Sequence, residues 1–364
     1  ILNSYGSFAS PAFSPVLLNV AMIAGAWWLT PYMAEPIMAL GWAVVAAGVL
    51  QLAIQIPELW KKNLLIPPKV DFKHEGVDRI LKLMLPALFG VSVTQINLLL
   101  NTIWASFMQD GSVSWLYSAE RMTELPLGLI GVAIGTVILP SLSARHAEQD
   151  QAKFRGMIDW AAKIIMLVGI PASIALFMLS TPIIQALFQR GEFTVEDTRM
   201  TALALQCMSA GVISFMLIKV FAPGFYAQQD TKTPVRVGLM AVAANAILNV
   251  VFIGLFKLID WHAEHMALAL ASSGSALVNA GMLYFYLHKR NIYRFGAHWK
   301  KLALQYAVAN IAMVAALWYG LTWYQGDISQ WLRIAEVAGL CVIGVVAYVV
   351  GLLVMGFRPR HLKA

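Results

Sequence analysis

Apolar residues run along this chain in long blocks separated by short polar joints. Crossing about 30 Å of hydrocarbon at about 1.5 Å per residue takes roughly 20 residues. Ten blocks are long enough: 12–30, 36–56, 79–108, 112–144, 154–179, 197–227, 234–256, 265–288, 299–323 and 330–356. Several contain Pro or Gly, which lipid-embedded helices tolerate where neighbours satisfy the freed backbone groups. None shows the alternating ten-residue pattern of barrel strands. The pattern predicts an all-α, polytopic transmembrane bundle of ten spans.

Composition agrees. Hydrophobic residues make up 59% of the 364 residues and charged residues 12%, with a mean hydropathy of +0.69. Soluble domains carry about 25% charged residues, so a water-soluble globular protein is excluded. Disorder is excluded on the same grounds. Cys207 and Cys341 both lie in apolar runs and read as small core residues, with no disulfide framework and no paired metal ligands.

The net charge of +7 raises the question of nucleic acid, but no stretch has the dense basic face that phosphate backbones require. The basic residues instead mark sidedness. With the N-terminal end inside, the cytoplasmic joints hold Lys61, Lys62, Lys69, Lys73 and Arg79; Arg145, Lys153 and Arg155; Lys232 and Arg236; Lys289, Arg290, Arg294, Lys300 and Lys301; and Arg358, Arg360 and Lys363. These are 18 of the 26. The opposite side has Arg190, Arg199, Lys257 and Arg333. This asymmetry predicts both ends in the cytoplasm. Lys82 and Lys163 lie near cytoplasmic helix ends and read as snorkelling side chains.

Two joints are amphipathic. Thr181 to Glu196 predicts a short helix at the outer interface, and Pro57 to Glu75 predicts a cytoplasmic segment against anionic headgroups. No joint is long enough for a soluble catalytic domain.

The fourth span carries the densest polar cluster, Tyr117-Ser118-Ala119-Glu120-Arg121-Met122-Thr123-Glu124-Leu125-Pro126. Glu120, Arg121 and Glu124 are three or four residues apart and can share one helix sector. Ionisable groups at this depth are costly unless they face each other or a wet cavity. One reading is an ion cluster that holds helices together. The other is a cavity wall whose Arg meets an anionic substrate, such as a phosphate suited to a guanidinium fork. Pro126 interrupts the helix, and Gly131 and Gly135 form a small-xxx-small pair that admits a close neighbour. Lys219, about two turns from the cytoplasmic end of its span, reads equally as snorkelling or as cavity-lining.

His262 and His265, with Asp260 and Glu264, read as a solvated loop and not as a metal site, because no supporting ligand spacing accompanies them. No Walker loop, GxGxxG or GxSxG elbow is present, so neither an enzyme nor a cofactor is indicated. Trp27, Trp28, Trp261, Trp299, Trp323 and Trp331 fall near span boundaries, as an aromatic belt does.

Tyr5-Gly6-Ser7-Phe8-Ala9-Ser10-Pro11 precedes a span containing Asn19. Tyr226-Ala227-Gln228-Gln229-Asp230-Thr231-Lys232-Thr233-Pro234 precedes one containing Asn245 and Asn249. Six spans apart and entering from one side, the two suggest a parallel repeat and a two-lobed transporter. The chain opens Ile1-Leu2-Asn3-Ser4 without a signal-peptide pattern and reads as a piece beginning inside a larger protein.

Several of these stretches resemble the MurJ/MviN lipid II flippases. Lys219 to Tyr226 followed by Asp230 to Pro234 is similar to a family signature. So are Ser112 to Arg121, Gly131 to Thr136 and Leu187 to Thr194. The resemblance runs the length of the chain. It implies helices 5–14 of a fourteen-helix, two-lobed exporter of the MOP superfamily, lacking the first four helices. Residues 1–56 would then end the first lobe, 57–76 form the amphipathic linker, 77–290 the second six-helix lobe, and 291–364 two further spans and a cytoplasmic tail. The implied activity is transfer of the undecaprenyl-pyrophosphate-linked peptidoglycan precursor across the bacterial inner membrane by alternating access, in the service of cell-wall biogenesis and cell shape. Another exporter of the superfamily, for a lipid-linked oligosaccharide or a drug, is the alternative. The implied partners are the lipid-linked precursor, membrane lipids and other cell-wall synthesis proteins. Arg121 matches the family's second-lobe cavity arginine and Glu124 its acidic neighbour, while Glu120 stands where the family usually has Asp. The substrate-binding set is therefore Arg121, Glu120, Glu124 and Lys219. The family's other cavity arginines belong to helices outside this sequence, so this piece alone is not expected to transport.

Overall fold

The computed structural model describes residues 2, 7, 9–65, 95, 97–260, 262–326 and 328–358. Among them all regular structure is helical, and nine helical stretches are long and apolar enough to span a membrane. The block at 79–108 lies largely outside the described residues, and so do Lys82, Trp261 and, in the first repeat entry, Tyr5, Gly6 and Phe8. The chain divides into two compact units, Ile1–Leu83 and Met84–Ala364.

The first unit is a pair of helices, α1 (Ala9–Ala24) and α2 (Pro36–Ala53), followed by a short α3 (Ile56–Lys61). Lipid tails are as apolar as Leu, so spanning helices gain little from apolar burial against each other. They associate instead through close packing of small residues and through polar bonds. Ala39, Ala43 and Ala47 supply that seam at i, i+4, i+8 and are buried. Opposite them α1 continues as a π-helical segment, Gly25–Leu29. A Cβ on Gly25 would come within 2.6 Å of Ala43 Cβ, so the approach requires glycine. Polar side chains tie the helix ends: Ser10 donates to Glu58, and Gln51 donates to the Ser14 carbonyl (3.0 Å). Trp27 and Trp28 point outward.

The second unit begins with helical residues 97–106 (α4). The next span is one continuous stretch of three pieces: α5 (Ser112–Pro126), a π-helical segment (Leu127–Val132) and α6 (Ala133–Ala147). Then come α7 (Gln151–Met178), α8 (Ser180–Phe188), α9 (Val195–Ser209), α10 (Val212–Tyr226), α11 (Lys232–Leu258), α12 (His265–Lys289), α13 (His298–Leu321) and α14 (Gln330–Val354).

The main core forms around α10. Val212, Met216, Val220, Phe221 and Phe225 meet Ile134, Ile138 and Leu142 of α6, Ile158 and Ile165 of α7, and Leu283 and Leu287 of α12. By contrast α11 buries one four-residue stripe, Val237, Ala241, Asn245 and Asn249, and leaves Ile247, Val250, Val251 and Leu255 exposed. A helix with a narrow buried seam and an apolar outer face suits a lipid boundary. The same holds for α14, where Val342, Val345, Val346 and Val349 face out.

Cys341 belongs to that outer face. It is exposed, against the expectation of a core residue, while Cys207 is buried. The expected outer helix forms as α8, but Ser180, Pro182, Ile184 and Ala186 are buried, so most of it is packed against protein. Of the expected solvated loop around His262 and His265, His262 is exposed and His265 differs. His265 is 1% exposed, its ring stacks 5.0 Å from that of Trp115, and Nε2 lies 2.9 Å from the Met200 carbonyl.

Candidate functional site

Three of the four candidate residues lie on α5. Gly111, at φ +97°, starts this helix, and a Cβ there would fall 2.6 Å from the Trp115 ring. Trp115 is in turn pinned by donating Nε1 to Asp197 (2.7 Å). Trp115, Leu116, Ala119, Met122 and Thr123 turn inward, which fixes Tyr117, Arg121 and Glu124 on the opposite, exposed face.

On that face Arg121 donates Nη1 to Glu124 Oε2 at 2.8 Å and Nη2 to the Tyr117 hydroxyl at 2.8 Å. The guanidinium carbon sits 4.8 Å from the Tyr117 ring centre. Both charged partners remain about half exposed, at 53% and 52%. The three-residue spacing of Arg121 and Glu124 made the pair legible in the sequence. Tyr117, one turn earlier, is the partner that sequence reasoning missed; an aromatic hydroxyl four residues before an intramembrane Arg was the available signal.

Glu120 is half-buried beside this face. Among the described residues no hydrogen bond or ion pair reaches its carboxylate, although its carbonyl accepts from the Thr123 hydroxyl (2.8 Å). The α-helical ladder changes to π-helical geometry where Pro126 predicts an interruption. The π-helical segment begins at the next residue, carrying Gly128 and Gly131.

Lys219, on α10, packs against the end of that segment and the start of α6. Its Cγ is 3.8 Å from where a Cβ on Gly131 would sit, and its backbone oxygen is 3.8 Å from the equivalent point on Gly135. The glycine pair thus receives α10, as the spacing suggested, with room for one further methyl group at each position. Gly131 and Gly135 follow Arg121 by ten and fourteen residues, about 15 to 21 Å along a helix axis. Lys219 is exposed. The four candidates therefore do not form one cluster: three lie on α5, and Lys219 lies on α10 against Gly131 and Gly135.

The motifs that carry the resemblance outside α5 have visible structural work. Asp230 accepts from the Thr233 amide (3.0 Å), the Thr233 hydroxyl (2.6 Å) and Arg290 Nη1 (2.6 Å). This clamps the start of α11 to the end of α12. Partial burial works against the Asp230 carboxylate, but the hydrogen bonds from Thr233 and then Arg290 outweigh it and hold its pKa at about 2. In the stretch from Leu187 to Thr194, Gly191 takes φ +56°, the Phe188 and Phe193 rings lie 5.9 Å apart, and Thr194 forms a capping box with Asp197.

A further polar group links α4, α11 and α12. Asn249 donates to Asn101 and to Asn245 (3.1 Å each), and Asn101 donates to Ser272 (3.2 Å). Asn245 and Asn249 are 1% and 0% exposed. In the sequence they read only as markers of the repeat; their convergence with Asn101 depends on tertiary packing.

A family model described as lipid II flippase MurJ matches residues 1–337. The chain is 43% identical over 368 residues to a probable lipid II flippase MurJ of Vibrio cholerae, covering 100% of this chain and 68% of that relative. A probable lipid II flippase MurJ of Haemophilus influenzae is 43% identical over 374 residues, covering 100% and 71%. The lipid II flippase MurJ of Burkholderia cenocepacia is 38% identical over 370 residues, covering 100% and 70%. Among solved structures, a lipid II flippase MurJ in an inward closed conformation superposes with a TM-score of 0.76 at 25% identity, covering 96% of this chain and 68% of the other.

Proposed function

The chain belongs to the lipid II flippase MurJ family, and from that membership we propose how its polar wall takes part in moving lipid II, the undecaprenyl-pyrophosphate-linked peptidoglycan precursor, across the inner membrane. Arg121 meets the pyrophosphate. Glu124 and Tyr117 hold the guanidinium in place between substrates, Glu120 sets the local charge, and Lys219, on α10, is a second cationic station.

The observation that carries this reading is the Arg121–Glu124 pair. Both members are half exposed in a span, and both partners of Arg121 come from its own helix at 2.8 Å. An exposed ion pair of this kind is worth only about 0 to 1 kcal/mol. Arg121 can therefore exchange carboxylate for phosphate oxygen at small cost while keeping a charge-assisted bond. Arg suits this exchange better than Lys because its planar fork engages two oxygens at once. With both Glu residues ionised the local charge is −1, so further cations must join Arg121 to hold a pyrophosphate.

Alternating access requires two arrangements of the same wall. The π-helical segment that follows α5 and ends against α10 is a natural place for the span to bend, because its backbone bonds already depart from the α-helical ladder. We place 1–56 at the end of a first lobe, 57–76 in a cytoplasmic linker, 77–290 in a second six-helix lobe, and 291–364 in two added spans with a cytoplasmic C-terminus. Other cell-wall synthesis proteins fit as partners at the cytoplasmic face.

Expression of the full-length protein in cells depleted of their own flippase tests the assignment. Restored growth, with precursor reaching the outer leaflet, is expected. Unrestored growth at normal membrane abundance would overturn it.

A further inference from the structure

We propose that the cavity between α7 and α13 is a separate binding site for the phosphate of an anionic membrane lipid. It is distinct from the polar wall of α5 and concerns a bound lipid, not the transported one. The cavity has a volume of about 310 Å³ and is lined by Lys163, His298, Lys301, Leu302 and Gln305.

Lys163 and His298 are held in place by a carboxylate that is itself fully engaged. Asp159, 14% exposed at its side chain, accepts from Lys163 Nζ (2.7 Å), Trp299 Nε1 (2.7 Å), the Tyr293 hydroxyl (2.8 Å) and His298 Nε2 (3.0 Å). Burial, and then the Asp159 carboxylate facing it, push the Tyr293 hydroxyl far above the ordinary tyrosine range, so it remains a donor. Lys163 is thus not the free snorkelling side chain that its position suggested. One bond to Asp159 leaves two of its three ammonium hydrogens for a ligand. Lys301 is exposed and, among the described residues, has neither a hydrogen-bond nor an ion-pair partner. Lys163, Lys301 and Asp159 sum to +1, which matches one phosphodiester.

Three features favour a lipid over a soluble phosphate. First, the cavity lies at the opening turns of α13, a spanning helix that starts at His298, with Trp299 beside it; Trp at a span end marks headgroup depth. Second, Leu304, Ile311 and Trp318 follow Lys301 at spacings of three, seven and seven residues. They are 59%, 68% and 72% exposed. These residues form an outward apolar stripe on the flank of α13 next to Lys301, where acyl chains would lie. Third, basic pockets between spanning helices at the cytoplasmic interface are a known physical solution for anionic headgroups.

The test uses the full-length protein in detergent and follows binding of phosphatidylglycerol by native mass spectrometry, with phosphatidylethanolamine as the zwitterionic, net-neutral comparison. The key variant is Lys301→Gln, since Lys301 is bonded to nothing whose loss would disturb the fold. Lys300→Gln removes the same charge one residue away, outside the cavity lining. Phosphatidylglycerol is expected to bind in preference to phosphatidylethanolamine. Lys301→Gln should weaken it about five-fold, as expected for one lysine–headgroup contact. Lys300→Gln should change it less than two-fold, and Lys301→Arg should restore it. Equal losses for Lys300→Gln and Lys301→Gln would overturn the proposal in favour of diffuse surface charge. Displacement of the lipid by millimolar inorganic phosphate, beyond the effect of sodium chloride at equal ionic strength, would overturn it in favour of a soluble ligand.

Discussion

Arg121 and Glu124 are joined at 2.8 Å on the outward face of α5, and the side chains of both remain about half exposed. The carboxylate therefore competes with any anion that approaches the guanidinium. Glu124→Gln removes that competitor and leaves the Tyr117 bond in place. Affinity of the full-length protein for a pyrophosphate-linked lipid should rise about two- to five-fold, the range an exposed ion pair can oppose. A titration of lipid binding against wild type measures it; unchanged or weaker binding would assign Glu124 a direct supporting role.

Glycine positions separate tight from loose helix crossings. A Cβ on Gly211 would fall 2.9 Å from Ser273 Cα and 2.8 Å from Ser273 Oγ, whose hydroxyl donates to the Cys207 carbonyl at 2.8 Å. Gly211→Ala should destabilise by about 1 to 3 kcal/mol, as overpacking does. Gly131→Ala meets nothing closer than 3.8 Å and should stay within about 0.5 kcal/mol of wild type. Thermal unfolding of the purified variants distinguishes the two.

The Asp230 clamp gives a pH dependence with a defined sign. Its carboxyl pKa is about 2 in the folded protein, against an unfolded value near 4. Its contribution is fully present above about pH 4 and disappears as pH falls toward 2. Asp230→Asn should flatten the melting temperature across that window. It should also lower it by about 1 to 3 °C at neutral pH, given that Arg290 is partly solvated. An unchanged acid limb would show that Thr233 and Arg290 hold nothing of consequence.

Sidedness can be read directly. Arg190 and Lys232 are both exposed, so access does not bias a labelling comparison. After Cys207→Ala and Cys341→Ala, Arg190→Cys in intact cells should react with a membrane-impermeant thiol reagent. Lys232→Cys should react only after permeabilisation. The reverse pattern would invert the proposed topology.

Much of this architecture was legible in the chain because a bilayer imposes one rule at a time. Span length follows from apolar run length, and the approach of a neighbour at Gly131 and Gly135 follows from their four-residue spacing. Within the site, Arg121 and Glu124 were legible for the same reason, being three residues apart on one helix. What the sequence could not supply is register between distant helices. Lys219 read equally as snorkelling or as cavity-lining, and only the crossing of α10 over Gly131 and Gly135 sets it apart from the α5 residues. Asp159 drew no attention, since its partners Tyr293, His298 and Trp299 lie more than a hundred residues away. His265 looked solvated because its neighbours are polar; Trp115 and Met200, which bury it, come from other helices.

The central claim is that Arg121 engages the headgroup, in contrast to a cluster that only holds helices together. The most direct measurement is complementation of flippase-depleted cells by full-length Arg121→Ala and Arg121→Lys, scored together with membrane abundance. Arg121→Ala is expected to fail at normal abundance, and Arg121→Lys, which keeps the charge but loses the two-pronged fork, to support only impaired growth. Normal growth with Arg121→Ala at normal abundance would contradict the account and leave the cluster a purely structural one.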